Sequence, residues 1–207
     1  MDMKALAING SPHKTGNTEI LLREVLKPLD EAGWETECVH VGAGKVKGCI
    51  ACYKCFESRD KRCAVTNDAL NGCLEKILEA DAVIIGTPTY FSDVTAEIKG
   101  LIDRTGLVAV ANGGLLYGKI GAAVVAVRRG GATHAFDSIN HMFMISGVIV
   151  PGSSYWNMGY GLHPGEVSDD AEAMGNMRHL GQAIACVGKA MQPYVDAYPK
   201  MPALAIG

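Results

Sequence analysis

Short apolar runs alternate with longer segments of helical periodicity along nearly the whole chain. Runs of strand length predict five β-strands, at residues 4–10, 35–41, 81–88, 119–131 and 148–152. Apolar residues at intervals of three and four predict helices at residues 17–33, 67–80, 95–106, 132–147 and 169–195. Strands separated by helices long enough for crossovers form parallel sheets covered on both faces. The pattern therefore predicts an α/β protein with a three-layer, doubly wound, five-stranded parallel sheet.

Two segments interrupt this alternation. Residues 44–66 contain four closely spaced cysteines and predict a cysteine-rich loop. Residues 152–168 are rich in glycine and aromatic residues, which predicts an irregular loop at the surface or at a subunit interface. A chain of 207 residues is long enough for one α/β domain with a full core, so we expect a single domain over residues 1–207.

Composition narrows the class of partner. Hydrophobic residues make up 48% of the chain and the net charge is −3, so a packed core is expected, and neither nucleic acid nor an anionic membrane is indicated as a partner. The first residues lack the pattern of a signal peptide, and no apolar run has the length of a membrane helix. We expect a cytoplasmic protein that acts on small molecules.

The loop after the first strand, "NGSPHKTGNT" at residues 9–18, has the chemistry of an anion site. Its backbone N–H groups and the positive end of the following helix favour a phosphate, and Ser11, Thr15 and Thr18 add hydroxyl donors. Gly10 and Gly16 are separated by five residues, and Asn17 stands where a Walker loop has lysine, so a terminal monophosphate fits better than a nucleoside triphosphate. Plain helix capping is the alternative interpretation.

The loop after the third strand contains Pro88, Thr89, Tyr90 and Phe91. Its two aromatic rings suit a planar ligand, although aromatic residues more often belong to cores or interfaces. In a sheet of order 2-1-3-4-5 the loops after strands one and three flank the point where the strand order reverses, and ligands bind there. A monophosphate beside a flat ring system describes FMN.

The chain resembles the NAD(P)H-dependent FMN reductases of flavodoxin-like fold and, among them, the iron-sulfur flavoproteins. The resemblance runs over nearly the whole chain and is carried by "NGSPHKTGNT", "GCIACYKC" with Cys63, "ADAVIIGTPTYFSDVTAEIKGLIDR" and "RHLGQAIA". It implies homodimers or homotetramers with the flavin near a subunit boundary. With the loop residues above, the candidate FMN-binding set is Ser11, Lys14, Thr15, Gly16, Asn17, Thr18, Pro88, Thr89, Tyr90, Phe91, Arg128, Gly130 and Gly131.

Arg128 follows the fourth predicted strand and has two interpretations. Its charge would favour anionic reduced flavin or a phosphate of NAD(P)H, whereas a solvated strand end needs no ligand.

The four cysteines Cys49, Cys52, Cys55 and Cys63 follow the spacing C-x₂-C-x₂-C-x₇-C. Three thiolates on one loop and a fourth beyond it suit a [4Fe–4S] cluster better than zinc, which usually takes two separated pairs. The spacing falls within that of the iron-sulfur flavoproteins. Related reductases carry similar cysteines, so free thiols remain the alternative. The other three cysteines, Cys38, Cys73 and Cys186, are interpreted as buried apolar residues.

FMN carries the redox chemistry itself, so no side chain is needed as a catalytic base. The predicted function is an FMN-dependent oxidoreductase that passes electrons from NAD(P)H, its substrate, to a small-molecule acceptor. Three alternatives remain: an iron-sulfur flavoprotein linked to ferredoxin, a non-enzymatic flavodoxin-like carrier, and a nucleotide-phosphate enzyme using Mg²⁺. Electron carriers of the flavodoxin type are typically strongly acidic, whereas this chain has a net charge of only −3.

Overall fold

The structure, a computed structural model, describes residues 3–202. Its five strands are β1 (Lys4–Asn9), β2 (Glu35–His40), β3 (Ala82–Pro88), β4 (Ile120–Val127) and β5 (Met158–Tyr160). They form one sheet in the order β2-β1-β3-β4-β5, and every neighbouring pair is parallel. The predicted flavodoxin-like topology is therefore confirmed.

Helices cover both faces of the sheet. The α-helices are α1 (Asn17–Glu31), α2 (Lys54–Ser58), α3 (Leu70–Glu79), α4 (Ala96–Ala111), α5 (Ala132–Ile145) and α6 (Ala171–Met191). Two 3₁₀ helices lie at Glu166–Asp169 and Gln192–Ala197. Among residues 3–202, no helix is both long and apolar enough to cross a membrane.

Alternate residues of the central strands enter two separate cores. Leu6 and Ile8 of β1 belong to the core beneath α3, α4 and α5, whereas Ala5 and Ala7 belong to the core beneath α1 and α6. All eight residues of β4 are buried, as expected for a strand covered on both faces. This burial explains why the apolar runs in the sequence predicted β1, β3 and the start of β4 closely. β4 ends at Val127, four residues before the predicted end, where the exposed residues 128–130 leave the sheet.

The fifth strand was predicted in the wrong place. Within the described chain, residues 148–152 supply one bridge, between Ile149 and Ile120. The chain then leaves the sheet and returns as β5, which pairs with Val125–Val127. Pro151 has no N–H to continue the ladder, so the edge strand is split. The stretch 152–168, predicted to be irregular, contains β5 and a 3₁₀ helix.

Candidate functional site

The loops that follow β1 and β3 are joined by buried hydrogen bonds. The N–H of Gly10 donates to the carbonyl of Gly86 over 2.8 Å, which extends the ladder one residue beyond the end of β1, against a residue inside β3. The hydroxyl of Thr95, at the start of α4, donates to the Gly10 carbonyl over 3.0 Å. A Cβ on Gly10 would lie 2.1 Å from the Ile98 side chain, so only glycine permits this approach. The two predicted site loops are thus held side by side.

Asn9, the last residue of β1, organises the first loop from below. Its fully buried side chain accepts the N–H of Ser11 at 2.9 Å and donates to the Lys14 carbonyl at 3.2 Å and the Glu19 carboxylate at 3.1 Å. The Ser11 hydroxyl in turn accepts the N–H of His13 at 3.1 Å. Sequence reasoning did not assign Asn9 a role. The signal for one was that a polar amide residue ends an apolar run predicted to be a buried strand.

Backbone donors remain free in this loop. Within the described part of the chain, the N–H groups of residues 14–18 donate no hydrogen bond, and they lie at or just before the first turn of α1. Thr18 is buried, whereas Lys14 and Thr15 are exposed. A Cβ at Gly16 would meet only the His13 residue, at 3.4 Å or more, so there is room beside these donors. The loop fits a phosphate monoester.

The side chain of Asn17 is hydrogen-bonded to the turn at residues 163–167. Its Nδ2 donates to the His163 carbonyl over 3.0 Å, and its Oδ1 accepts the N–H groups of Gly165 at 2.9 Å and Val167 at 3.4 Å. This amide therefore fastens the 163–167 turn beside the start of α1. The backbone N–H of Asn17 is left for an anion.

A tight turn presents the aromatic residues of the second loop. Tyr90 and Asp93 exchange backbone hydrogen bonds of 2.9 and 3.1 Å, and the central residues Phe91 and Ser92 have φ of 46° and 65°. Non-glycine residues rarely adopt this left-handed region, and such strain concentrates at functional sites. Tyr90 is half-exposed and Phe91 is fully exposed, so both rings are free to contact a ligand.

Asp93 attaches this turn to α5. Its carboxylate accepts the N–H of Val94 at 2.7 Å and the hydroxyl of Ser138 at 2.9 Å, and the His134 ring lies 3.4 Å away. Partial burial disfavours the charge, but these hydrogen bonds and His134 hold the pKa of Asp93 below its usual value. The turn is therefore fixed by an ionised carboxylate.

The loop after β4 completes the second half of the site. The N–H of Thr89 donates to the Ala126 carbonyl at 2.9 Å, while the buried Thr89 hydroxyl has no partner among the described residues. Gly131 has φ of +84° and lies against Ser92, and a Cβ on Gly130 would meet nothing within 4 Å. The open space at Gly130 leaves room for a ligand beside this loop. Arg128 is exposed at the end of β4, so its two interpretations remain open.

The cysteine-rich loop is an exposed and strained segment. Cys49 and Cys52 are exposed, Cys55 lies in the short helix α2, which was not predicted, and Cys63 is half-buried. Four non-glycine residues of this loop have φ between 46° and 63°; these are Ala51, Tyr53, Arg59 and Lys61. So many left-handed residues indicate a backbone shaped around something other than its own hydrogen bonds.

The sulfurs of this loop are near one another without forming a closed cage. Burial raises the pKa of the Cys55 thiol, and the neighbouring Cys63 and Cys52 thiols add to the rise. Over residues 3–202, no three His, Cys, Asp or Glu side chains stand close enough to hold a metal ion. Four thiols are the ligand type that iron-sulfur clusters take, so the chemistry of the donor set fits such a group.

The three remaining cysteines differ in burial. Burial raises the pKa of Cys73 to about 12 and that of Cys38 to about 11. Cys186 is exposed on α6, so its prediction as a buried residue was wrong.

Arg104 of α4 and Asp68 form a fully buried ion pair beneath the cysteine-rich loop. Burial alone would raise the pKa of Asp68, but hydrogen bonds from Arg104 and from the N–H groups of Lys47 and Leu70 lower it. Sequence reasoning missed Arg104. The available signal was its spacing, because it continues the buried positions Ile98 and Leu101 on one face of α4.

Comparisons with known proteins agree with this geometry. The family model for NADPH-dependent FMN reductase matches residues 3–163. An iron-sulfur flavoprotein of Methanocaldococcus jannaschii is 35% identical over 92% of this chain and 100% of its own length. An iron-sulfur flavoprotein of Methanosarcina thermophila is 34% identical over 94% of this chain and 100% of its own length.

Among solved structures, RosB with its bound intermediate 8-demethyl-8-formylriboflavin-5'-phosphate aligns with a TM-score of 0.72. The alignment covers 99% of this chain and 91% of RosB at 21% identity. At this identity the likeness supports the fold alone.

We expect Asp68→Asn to lower the free energy of unfolding at pH 7 by about 3 kcal/mol, because it leaves the buried Arg104 without a counter-ion. The folded-state pKa of Asp68 lies below its unfolded value of about 3.9, so the pair stabilises above that pH and its contribution is lost as the pH falls further. Denaturant unfolding across pH 7 to 2 measures both effects, and the variant's curve should be flatter below about pH 4.

Asp103→Asn is the matched control, since Asp103 pairs with Lys99 on the exposed face of the same helix. It should cost less than about 0.5 kcal/mol. Equal losses in the two variants would contradict the role assigned to the buried pair.

Proposed function

Because the chain belongs to the NADPH-dependent FMN reductase family and is an FMN-dependent oxidoreductase, we propose that it binds FMN across the adjoining loops after β1 and β3. One observation carries the proposal: free backbone N–H groups at residues 14–18 stand beside a turn that presents two exposed aromatic rings. One loop recognises a phosphate and the other a planar ring.

The first loop holds the phosphate group. Backbone N–H groups from residues 14–18 donate to its oxygens, at the positive end of α1. The hydroxyls of Ser11, Thr15 and Thr18 add donors, and the exposed Lys14 ammonium offsets charge. Gly16 leaves room for the phosphate, and Asn17 contributes its backbone N–H while its side chain holds the 163–167 turn.

The second loop and the glycines after β4 hold the ring system. Pro88, the last residue of β3, and Thr89 lie at its base. Tyr90 and Phe91 cover an apolar face of the ring, and Gly130 and Gly131 leave space for its edge. Arg128 supplies positive charge near that edge. FMN held by these residues would supply the chemistry of hydride acceptance from a reduced nicotinamide and of electron transfer singly or in pairs.

The four cysteines Cys49, Cys52, Cys55 and Cys63 hold a [4Fe–4S] cluster in this proposal. Two observations support it: the cysteine spacing and the strained backbone of their loop. Two relatives that match this chain over their whole length are named iron-sulfur flavoproteins. Such a cluster carries single electrons, which fits a ferredoxin partner in the cytoplasm.

A homodimer or homotetramer completes the proposal. Several large apolar side chains near the end of α5 and along residues 155–162 are more than half exposed; these are Met144, Ile145, Tyr155, Trp156, Tyr160 and Leu162. Monomeric proteins rarely expose contiguous apolar patches of this kind, so the patch supports self-association.

We expect FMN to bind the apoprotein at least about 100-fold more tightly than riboflavin, because two or more charge-assisted hydrogen bonds to phosphate are each worth about 1.5–3 kcal/mol. Quenching of flavin fluorescence measures both dissociation constants. Asn17→Asp places a negative charge at the first residue of α1 and should weaken FMN about fivefold, with little effect on riboflavin.

Gln192→Glu makes the same amide-to-carboxylate change at an exposed residue outside the site loops and serves as the control. Equal affinity for FMN and riboflavin in the native protein would overturn the assignment of residues 14–18 to phosphate.

Protein purified without oxygen should contain about four irons and four acid-labile sulfides per chain, together with FMN. Its visible spectrum should show flavin bands over a broad brown absorbance, and NADPH with an added quinone should give many turnovers. Flavin without iron would identify the cysteines as free thiols and leave a plain flavin reductase. A single flavin reduction without turnover would indicate a carrier.

A further inference from the structure

Every donor of the Arg104 guanidinium has a partner. The side chain is fully buried, and Nη1 donates to the Lys47 carbonyl at 3.0 Å and to the Asp68 carboxylate. Nη2 donates to the Val65 carbonyl at 2.8 Å and to the other Asp68 oxygen at 3.2 Å. The fifth donor, Nε–H, points at the Cys63 sulfur over 3.3 Å. A guanidinium has five N–H groups, so none is left over.

These contacts close the base of the cysteine-rich loop. Lys47 precedes the four cysteines in the chain, whereas Val65 and Asp68 follow them. One side chain therefore ties the two ends of the loop together from beneath. A loop closed in this way loses less entropy when its remaining residues order around a ligand.

Among the four cysteines, as far as the structure describes them, Cys63 is the one hydrogen-bonded to side chains of other elements. Its N–H donates to Asn71 Oδ1 at 2.8 Å, and Asn71 Nδ2 donates back to its carbonyl at 2.9 Å. The sulfur receives the Arg104 donor as a third restraint. Cys49 and Cys52 are exposed. The Cys49 sulfur receives a local donor, the Ala51 N–H at 3.4 Å. Cys63 is thus the cysteine that α3 and α4 hold from outside the loop.

We propose that Arg104 is a positioning residue for the iron-sulfur cluster: it fixes Cys63 as the preformed ligand and donates one hydrogen bond to its sulfur. The inference rests on the cluster proposed above. Hydrogen bonds to ligand sulfurs stabilise the more negative, reduced state of a cluster and so raise its reduction potential. Side chains that orient a metal-binding residue, as Arg104 orients Cys63, also slow the loss of the metal.

The same helix serves the flavin loops. Thr95 opens α4 and holds the Gly10 carbonyl, and Arg104 lies nine residues further along. At 1.5 Å per residue the two anchor points are about 14 Å apart along the helix axis. One rigid element therefore sets the position of Cys63 relative to the flavin loops.

Arg104→Lys tests the hydrogen bond to sulfur. Lysine keeps the charge that pairs with Asp68 but has a methylene where Nε–H stood. We expect the variant to retain FMN and its far-ultraviolet circular dichroism, to release iron to a ferrous chelator about 10-fold to 100-fold faster, and to have a lower cluster midpoint potential. Lys99→Arg, on the exposed face of the same helix, is the matched control and should behave as the native protein does.

A spectroscopic measurement on the native protein tests the same hydrogen bond if the Arg104→Lys variant does not fold. With arginine labelled by ¹⁵N, pulsed electron paramagnetic resonance of the reduced cluster should detect a guanidinium nitrogen coupled to the electron spin. Unchanged iron release and potential in Arg104→Lys, or no nitrogen coupling in iron-loaded native protein, would overturn this inference alone. Native protein that binds FMN but no iron would overturn both the cluster and the inference.

Discussion

The register between β1 and β3 is the constraint on which the site depends. The hydrogen bond from the Gly10 N–H to the Gly86 carbonyl carries the ladder past the end of β1, while β3 continues to Pro88. It brings the start of α1 next to the turn that presents Tyr90 and Phe91. The packing is close enough that a Cβ on Gly42 would lie 1.9 Å from the Ser11 carbonyl, so the chain leaving β2 also supports the first loop. A shift of this register would separate the phosphate donors from the aromatic turn.

Helix α4 begins beside these two loops and connects them to the cysteine-rich loop, which has little regular secondary structure. The cysteine-rich loop contains one short helix, and it is anchored to the core through Arg104 and Asp68. Burying a charged pair costs desolvation energy, and such pairs are often no more stabilising than apolar side chains would be. Compared with apolar side chains, the Arg104–Asp68 pair contributes geometry rather than added stability, because the planar guanidinium fixes the positions of five acceptor atoms at once.

The strands and the site loops were predictable because their signals are local. β1, β3 and β4 are buried apolar runs, and the loop after β1 combines glycine, hydroxyl residues and a helix start within ten residues. The split edge strand was not predictable, because the apolar residues 148–150 resemble a strand and the pairing of Met158 depends on β4. Arg104 and Cys63 are 41 residues apart in the chain, so their contact follows only from the packed fold.

We infer that the loops at the carboxyl ends of β1, β2 and β3 carry a phosphate site, a cysteine site and a ring site, respectively. A crystal structure of protein purified without oxygen tests it most directly. We expect electron density for FMN with its phosphate against the N–H groups of residues 14–18 and its ring beside Tyr90 and Phe91, and anomalous density for iron at the four cysteines. Flavin density at any other surface of the molecule would contradict the account.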